Sequence, residues 1–355
     1  MILMNRMRYL LFFMLCCFAQ QTHGQILTAD SLESKIQQLS DYMLYRNHDT
    51  NYIKNYADNF ALKLVAVNKF NYFQIRDRNE NSKLTYRPEY GVNLGIGMAY
   101  RWFSMDITFD VGLREDRNIE NKEAFDIQAR AYTSKRLIEA YIQYYYGYEL
   151  TRASGAGQDL LDDTYLRGDI RTMSFGLQYL FAFNYDKFSL NAPFVLNEKQ
   201  RKSAGSPIFG ASLVLFTMNA DSSIVPTAMK PYFDEKLHLV DMGLISFAVN
   251  FGYMYTFVWK KHIFLTLGFI PGLNFNLGDI KASSREVIKW NVSYKLKTMN
   301  AIGYNSRRFF GGVQFVGDIN DVDLKDKLST QFANGSMKFF IGYRFKRKKE
   351  VKSKY

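Results

Sequence analysis

Of the four histidines in this 355-residue chain, His238 lies beside three acids, Asp234, Glu235 and Asp241, in a long polar connection between apolar runs. A histidine so placed is a general-base candidate, and with a serine and an oxyanion donor it could activate a nucleophile for ester hydrolysis. His48 lies ahead of the first apolar strand pattern and His262 in a short turn, and no serine is marked by its spacing for the nucleophile's role. His238 is therefore the lone catalytic candidate. Metal chemistry finds less support. Both cysteines, Cys16 and Cys17, fall near the N-terminus, the histidines are unpaired, and the acidic run "DINDVD" from Asp318 to Asp323 reads as a solvated loop rather than a calcium site. Gly95 and Gly97 form a G-x-G without the third glycine or the following helix that a dinucleotide site needs. Neither a cofactor nor a metal is expected.

A larger set of polar residues stands out by its alternation with bulky apolar neighbours: Arg101, Asp106, Asp110, Asp126, Arg130, Glu139, Glu149, Asn250, Lys289, Lys295, Lys338 and Arg344. What holds them decides what they do. The stretch "GLISFAVNFGYMYTFVW", Gly243 to Trp259, has no charge and is just short of the roughly 20 residues a membrane helix needs. Its bulky residues fall at every second position from Ile245 to Trp259, with Ser246, Ala248, Asn250, Gly252, Met254 and Thr256 between. On a helix that set would be smeared around the cylinder, whereas on a strand it makes one face. The pattern recurs in "YGVNLGIGMAYRW", flips phase in "SMDITFDVGL" as a hairpin requires, and returns in several later segments.

Long strands with one apolar, aromatic-ended face and one face of Gly, Asn, Asp and Thr are the signature of a transmembrane β-barrel. The 25 Tyr and 30 Phe suit aromatic girdles, and the 6 Pro suit long ladders. Twelve strands are expected, near 61–72, 89–102, 104–113, 124–134, 137–149, 171–183, 207–218, 240–259, 262–277, 285–297, 307–317 and 335–345. The even count places both termini and every short turn on one side, which the shortness of the turns assigns to the periplasm. The segment 188–207 would break this parity as a strand, so it is read as a periplasmic or lumen-dipping connection. The polar set listed above then faces the lumen, and its mixed signs argue for internal ion pairs rather than a strongly selective pore.

The ends complete the organisation. Residues 1–24 read as a secretory signal peptide, with Arg6 and Arg8 before an apolar core and cleavage after Gly24 or Ala19. Residues 25–60 hold an amphipathic helix, with Asp30 and Glu33 as a capping pair and Leu32, Ile36, Leu39 and Met43 on one face, followed by a linker. The barrel covers 61–345, and 346–355 is a basic tail. The net charge of +12, less the two charges of Arg6 and Arg8, is +10. In this compartment the excess suits anionic headgroups or peptidoglycan rather than nucleic acid.

The leader, the "DTNYI" run at Asp49 to Ile53, the "QRKSAGS" run at Gln200 to Ser206 and the aromatic, glycine-rich strands resemble the Bacteroidota outer-membrane barrel family known as domain of unknown function 4421. The resemblance covers about 30 to 345 and implies a fold and a compartment but no activity. The expectation is an outer-membrane barrel with a structural, binding or narrow-channel role. Its partners would be outer-membrane lipids, with lipopolysaccharide or peptidoglycan in reach. The alternative is a rim-located lipid hydrolase of the phospholipase or lipid A deacylase type, using His238.

Overall fold

The computed structural model describes residues 48–345 apart from 57, 89–90, 101–102, 111–122, 156–164, 283–284 and 325–326. The signal peptide, the amphipathic helix and the basic tail expected from the sequence lie outside the described residues. Every described residue belongs to one compact unit, Tyr45–Tyr355.

Alternation dictates strands, and strands are what form. A short β1 (Ile53–Asn55) precedes the wall strands β2 (Ala61–Asp77), β3 (Ser82–Pro88), β4 (Val92–Tyr100), β5 (Phe103–Asp110), β6 (Glu123–Tyr132), β7 (Arg136–Ser154) and β8 (Tyr165–Ala182). A four-residue helix α1 (Asn191–Phe194) and β9 (Glu198–Gln200) interrupt the wall. It resumes with β10 (Ala204–Asn219), β11 (Asp241–Trp259), β12 (Ile263–Lys281), β13 (Arg285–Asn305), β14 (Phe309–Asp323) and β15 (Leu328–Arg344). Among the described residues no helix is long and apolar enough to cross a membrane.

All the wall ladders are antiparallel, and β15 pairs β2 to close the circuit. β3 and β4 act as one interrupted strand. β3 pairs the second half of β2, from Phe73↔Tyr86 to Asp77↔Ser82, and β4 pairs its first half, from Ala61↔Ala99 to Asn68↔Val92, one residue out of register. Counting them together gives the twelve expected strands, but not twelve-fold closure. β5 ends at Asp110, opposite Asn93, and β6 begins at Glu123, opposite Tyr146 of β7. No β5–β6 ladder forms among the described residues; instead β3 pairs β7 directly, from Lys83↔Ser154 to Pro88↔Tyr148. The closed circuit is therefore ten strands, β2-β3-β7-β8-β10-β11-β12-β13-β14-β15, with β4, β5 and β6 widening one half of it.

That half is the lipid-facing one. Outward residues Leu94, Ile96, Met98 and Tyr100 of β4, Met105, Ile107 and Phe109 of β5, Phe247, Phe251 and Tyr253 of β11, and Phe339 and Ile341 of β15 are exposed. An uninterrupted exposed apolar belt demands a bilayer. The nine residues of β4 cover about 30 Å along the strand, or about 22 Å after a tilt of about 45°, which matches the apolar band of such barrels. Beyond it β2, β7, β14 and β15 run on. The sequence expectation of a loop from Gly317 is corrected here: the "DINDVD" run is the end of β14, because Asp318, Asn320 and Val322 continue the inward alternation and are buried.

We call the end holding Ala61 and Arg344 the near rim and the other the far rim. The near-rim reversals are short: Trp259 to His262 turns on Lys260 and Lys261, both at positive φ, 45° and 64°. Glu149, expected to face inward, does not. Gly147 takes φ 88° in a bulge that shifts the β7–β8 register between Tyr146 and Tyr148, so Tyr148 and Leu150 turn inward and Glu149, itself buried, falls on the opposite face, paired with the exposed Leu166.

Candidate functional site

The lumen is packed in three layers. At the near end the connection between β8 and β10 dips inside, the second of the two readings, periplasmic or lumen-dipping, given to 188–207. Phe188, Leu190, Phe194, Val195 and Leu196 are buried against inward residues that include Val65, Leu137, Ile208, Met254, Phe264 and Phe340. Polar bonds tie this plug to the wall. Gln314 donates to the Pro193 and Phe194 carbonyls at 2.8 and 2.9 Å, Asn305 to Glu198 O at 3.0 Å, and Arg344 to the Leu196 carbonyl. Glu198 accepts from Ser134 at 2.7 Å and Ser189 at 2.5 Å; burial raises its carboxyl above the ordinary range and these bonds offset part of the rise.

At the far end the β10–β11 connection folds over the mouth. Ile224, Val225, Met229, Phe233, Leu237 and Leu239 are buried against Phe73, Tyr86, Tyr148, Phe216, Met242 and Phe332. Tyr86 donates to the Ile224 carbonyl, Arg167 to Ser222 O and Ser223 O at 3.0 and 2.7 Å, and the Asp234 amide to Asp77 Oδ2 at 3.0 Å.

Between the two apolar layers lies an ionic belt. Arg130 of β6 meets Glu139 of β7 at 2.6 Å; Glu139 meets Lys297 of β13 at 3.5 Å; Lys297 meets Asp318 of β14 at 3.4 Å; Asp318 meets Lys295 at 2.7 Å. Gln178 of β8 donates to Asp318 at 2.9 Å and accepts from Lys297. In the ten-strand circuit β7 and β13 are diametrically placed, so this path staples opposite walls. A second set secures the unladdered strands: Lys63 and Lys338 meet Asp106 of β5 at 2.8 and 2.7 Å, and Lys69 meets Asp126 of β6 at 3.1 Å. A Cβ on Gly97 would come within 2.1 Å of Asp106 Oδ1 and 2.4 Å of Lys63 Cε, so only glycine leaves room for that pair.

The structure thus brings Asp106, Arg130, Glu139 and Lys295 into the belt. Asn250 is inward, as expected, but 2% exposed, and its Nδ2 donates to Ile270 O at 3.2 Å. It sits in packed interior rather than facing water. Arg101 and the side chains of Asp110 and Lys289 lie outside the described residues. Lys297, Asp318 and Gln178 complete the belt and were missed. Lys297 continues the odd-numbered alternation of Lys289 and Lys295, while Asp318 was hidden by its reading as a loop. His238 caps the 3-10 turn Glu235–Leu237 at the far rim, and its Nε2 is buried with no hydrogen-bond partner. Among the described residues its ring makes no hydrogen bond to a serine or carboxylate.

Comparisons with known proteins come at low identity. Over 82% of this chain and 98% of the other, the crystal structure of outer membrane protease OmpT from Escherichia coli superposes with a TM-score of 0.35 and 8% identity. The Pseudomonas putida toluene transporter TodX gives a TM-score of 0.22 and 5% identity over 83% of this chain and 90% of that one. Likenesses this loose say nothing of activity. No curated protein matches. The family described as Domain of unknown function (DUF4421) matches residues 47–345.

Proposed function

The chain belongs to the DUF4421 family, and from that premise, which carries no activity with it, we propose that it is an outer-membrane barrel whose interior is a structural core rather than a conduit. Its task in that reading is binding or scaffolding at its rims. Both termini and the near rim face the periplasm, where lipopolysaccharide on the way out or peptidoglycan is in reach, and outer-membrane lipids surround the belt. One observation carries the proposal: the Arg130–Glu139–Lys297–Asp318–Lys295 path joins opposite walls at mid-height, between plugs that are apolar and buried. Water-filled barrels line their lumen with solvated side chains; here the lumen-facing Lys295, Lys297 and Asn274 are buried.

Planar-bilayer recording of the purified full chain tests this, with an open porin as positive control in the same preparation. No unitary steps above the bare-membrane baseline are expected. Reproducible ohmic steps from folded, heat-modifiable protein would show that a conducting path exists and end the sealed-core reading.

A further inference from the structure

We propose that the near rim carries a binding site for phosphate-type oxyanions, formed where Lys54, Lys199, Arg201, Lys202, Lys261 and Arg307 converge on one cavity. The cavity measures about 960 Å³ and opens to solvent at the rim. Its six cations come from β1, the stretch at and after β9, the β11–β12 turn and the β13–β14 turn, while Asp58 is its only lining carboxylate. Among the described residues none of the six has a carboxylate within 4.0 Å, in contrast to the lumen, where all six cations in the belt and its ties touch an acid directly. Like charges gathered without counter-charge repel, and an anion bound among them removes that repulsion.

Two further features point to a ligand. Lys199 is 7% exposed, yet its ammonium lies against a ring nitrogen, His262 Nδ1, at 2.8 Å and not against a carboxylate. Burial, with Lys54, Arg344 and Arg201 nearby, pushes it down to about 8. The second is the turn. A two-residue hairpin with positive φ at both central positions favours Asn-Gly, because side chains with a full Cβ resist that backbone. Here the positions are Lys260 and Lys261, and Lys261 lines the cavity. The turn gives up local stability and gains a cation at the site, as strained functional loops do. Arg201 and Arg307 offer the planar forks that match a phosphate edge.

The cavity lies just past Trp259, Ile263 and Tyr304, which are exposed at the edge of the belt. Lipid headgroups and soluble phosphorylated molecules both reach that level, and both present the same oxyanion.

Calorimetric titration of the full chain in a neutral maltoside detergent with pyrophosphate, at pH 7, tests the site. Saturable one-to-one binding is expected. The double substitution Lys260→Asn with Lys261→Gly improves the turn, so heat-modifiable folding should be kept or strengthened while affinity falls about tenfold, the usual cost of one charge-assisted hydrogen bond. Lys199→Gln should weaken binding comparably. It should also abolish a loss of affinity that the natural chain shows as pH rises through about 8. The groups facing Lys199 in that range are Lys54, Arg201, Arg344 and His262. Lys230→Gln at the far rim should change nothing. In nanodiscs, loss of pyrophosphate binding with phosphatidylglycerol but not with phosphatidylcholine assigns the site to lipid phosphate; binding retained in both assigns it to soluble anions. No saturable binding in detergent, or affinity unchanged in both near-rim variants, overturns the proposal.

Discussion

Glu139 shows what one lumen carboxylate does. It stands between Arg130 at 2.6 Å and Lys297 at 3.5 Å; Glu139 and Lys297 are buried and Arg130 is half-buried. Replacing it with Gln leaves the buried Lys297 and the half-buried Arg130 without their shared counter-charge, which costs about 3 kcal/mol, the lower end for breaking a buried pair. Glu139→Gln should lower the midpoint of reversible urea unfolding in liposomes accordingly, and adding Arg130→Gln should restore part of the loss. If the single variant unfolds like the natural chain, the belt is hydrated and the packed-lumen description is wrong. Asn250 and Phe251 make a second comparison. Phe251 is 63% exposed on the lipid side, so Phe251→Lys should cost about 2–4 kcal/mol near the midplane. Alternation alone makes Asn250→Lys look cheap, as for any residue facing water. The structure reverses that expectation, because a Cβ on Gly210 or Gly272 would already crowd Asn250 atoms, at 3.2 and 2.5 Å. A lysine there has neither space nor an acid, and its cost should at least equal that of Phe251→Lys in the same refolding titration. A much milder effect at position 250 would mean that the lumen is open at that level.

At the scale of elements, the strands were legible because a bilayer on one side and an interior on the other impose period two on every spanning segment. β11 and β12 fall within four residues of their expected limits for that reason. What lay beyond the belt was less legible. There both faces meet protein or water, polar residues can occupy either, and the far ends of β7, β8, β14 and β15 were read as loops. Single-residue irregularities were silent: nothing in the composition around Gly147 announces a bulge, and a bulge reverses every side chain after it. The same limit hid the closure. Strand number follows from counting apolar runs, but the β3–β7 ladder that excludes β5 and β6 depends on register. The candidate site was legible as a set of inward charges, not as a chain of contacts, since alternation gives the face of a residue and not its partner. The seam between β5 and β6 has a testable consequence. Edge amides without a ladder exchange faster than paired ones. Hydrogen–deuterium exchange in detergent should therefore show lower protection for β5 and β6 than for β11 and β12, which are laddered on both sides. Asp106→Asn should lower it further at β5, whose inner face is held by Lys63 and Lys338. Equal protection across all four strands would mean that the seam is hydrogen-bonded.

For the whole molecule, the two rims differ in construction, and the difference orients the barrel. The near rim ends close to the apolar belt and turns on short reversals, such as that of Lys260 and Lys261. The far half continues past the belt. β2 reaches Asp77, about nine residues beyond its last pair with β4, and the connection across the far mouth folds over a buried apolar layer. Short turns on the periplasmic side and longer, structured connections outside are the rule for such barrels, so the outer-membrane reading proposed above predicts that the projecting half lies outside the cell. The expected leader holds both cysteines, which leaves the secreted chain free of thiols and open to single-site labelling. Lys230 is exposed in the far connection and Arg308 is exposed at the near rim, where its backbone carbonyl accepts from the Arg344 amide. With a membrane-impermeant maleimide on intact cells, Lys230→Cys should label fully. Arg308→Cys should label only after the outer membrane is permeabilised, when both should react alike. The opposite pattern would invert the barrel and place the basic near-rim cavity at the cell surface. Labelling of neither site before permeabilisation would remove the protein from the outer membrane altogether.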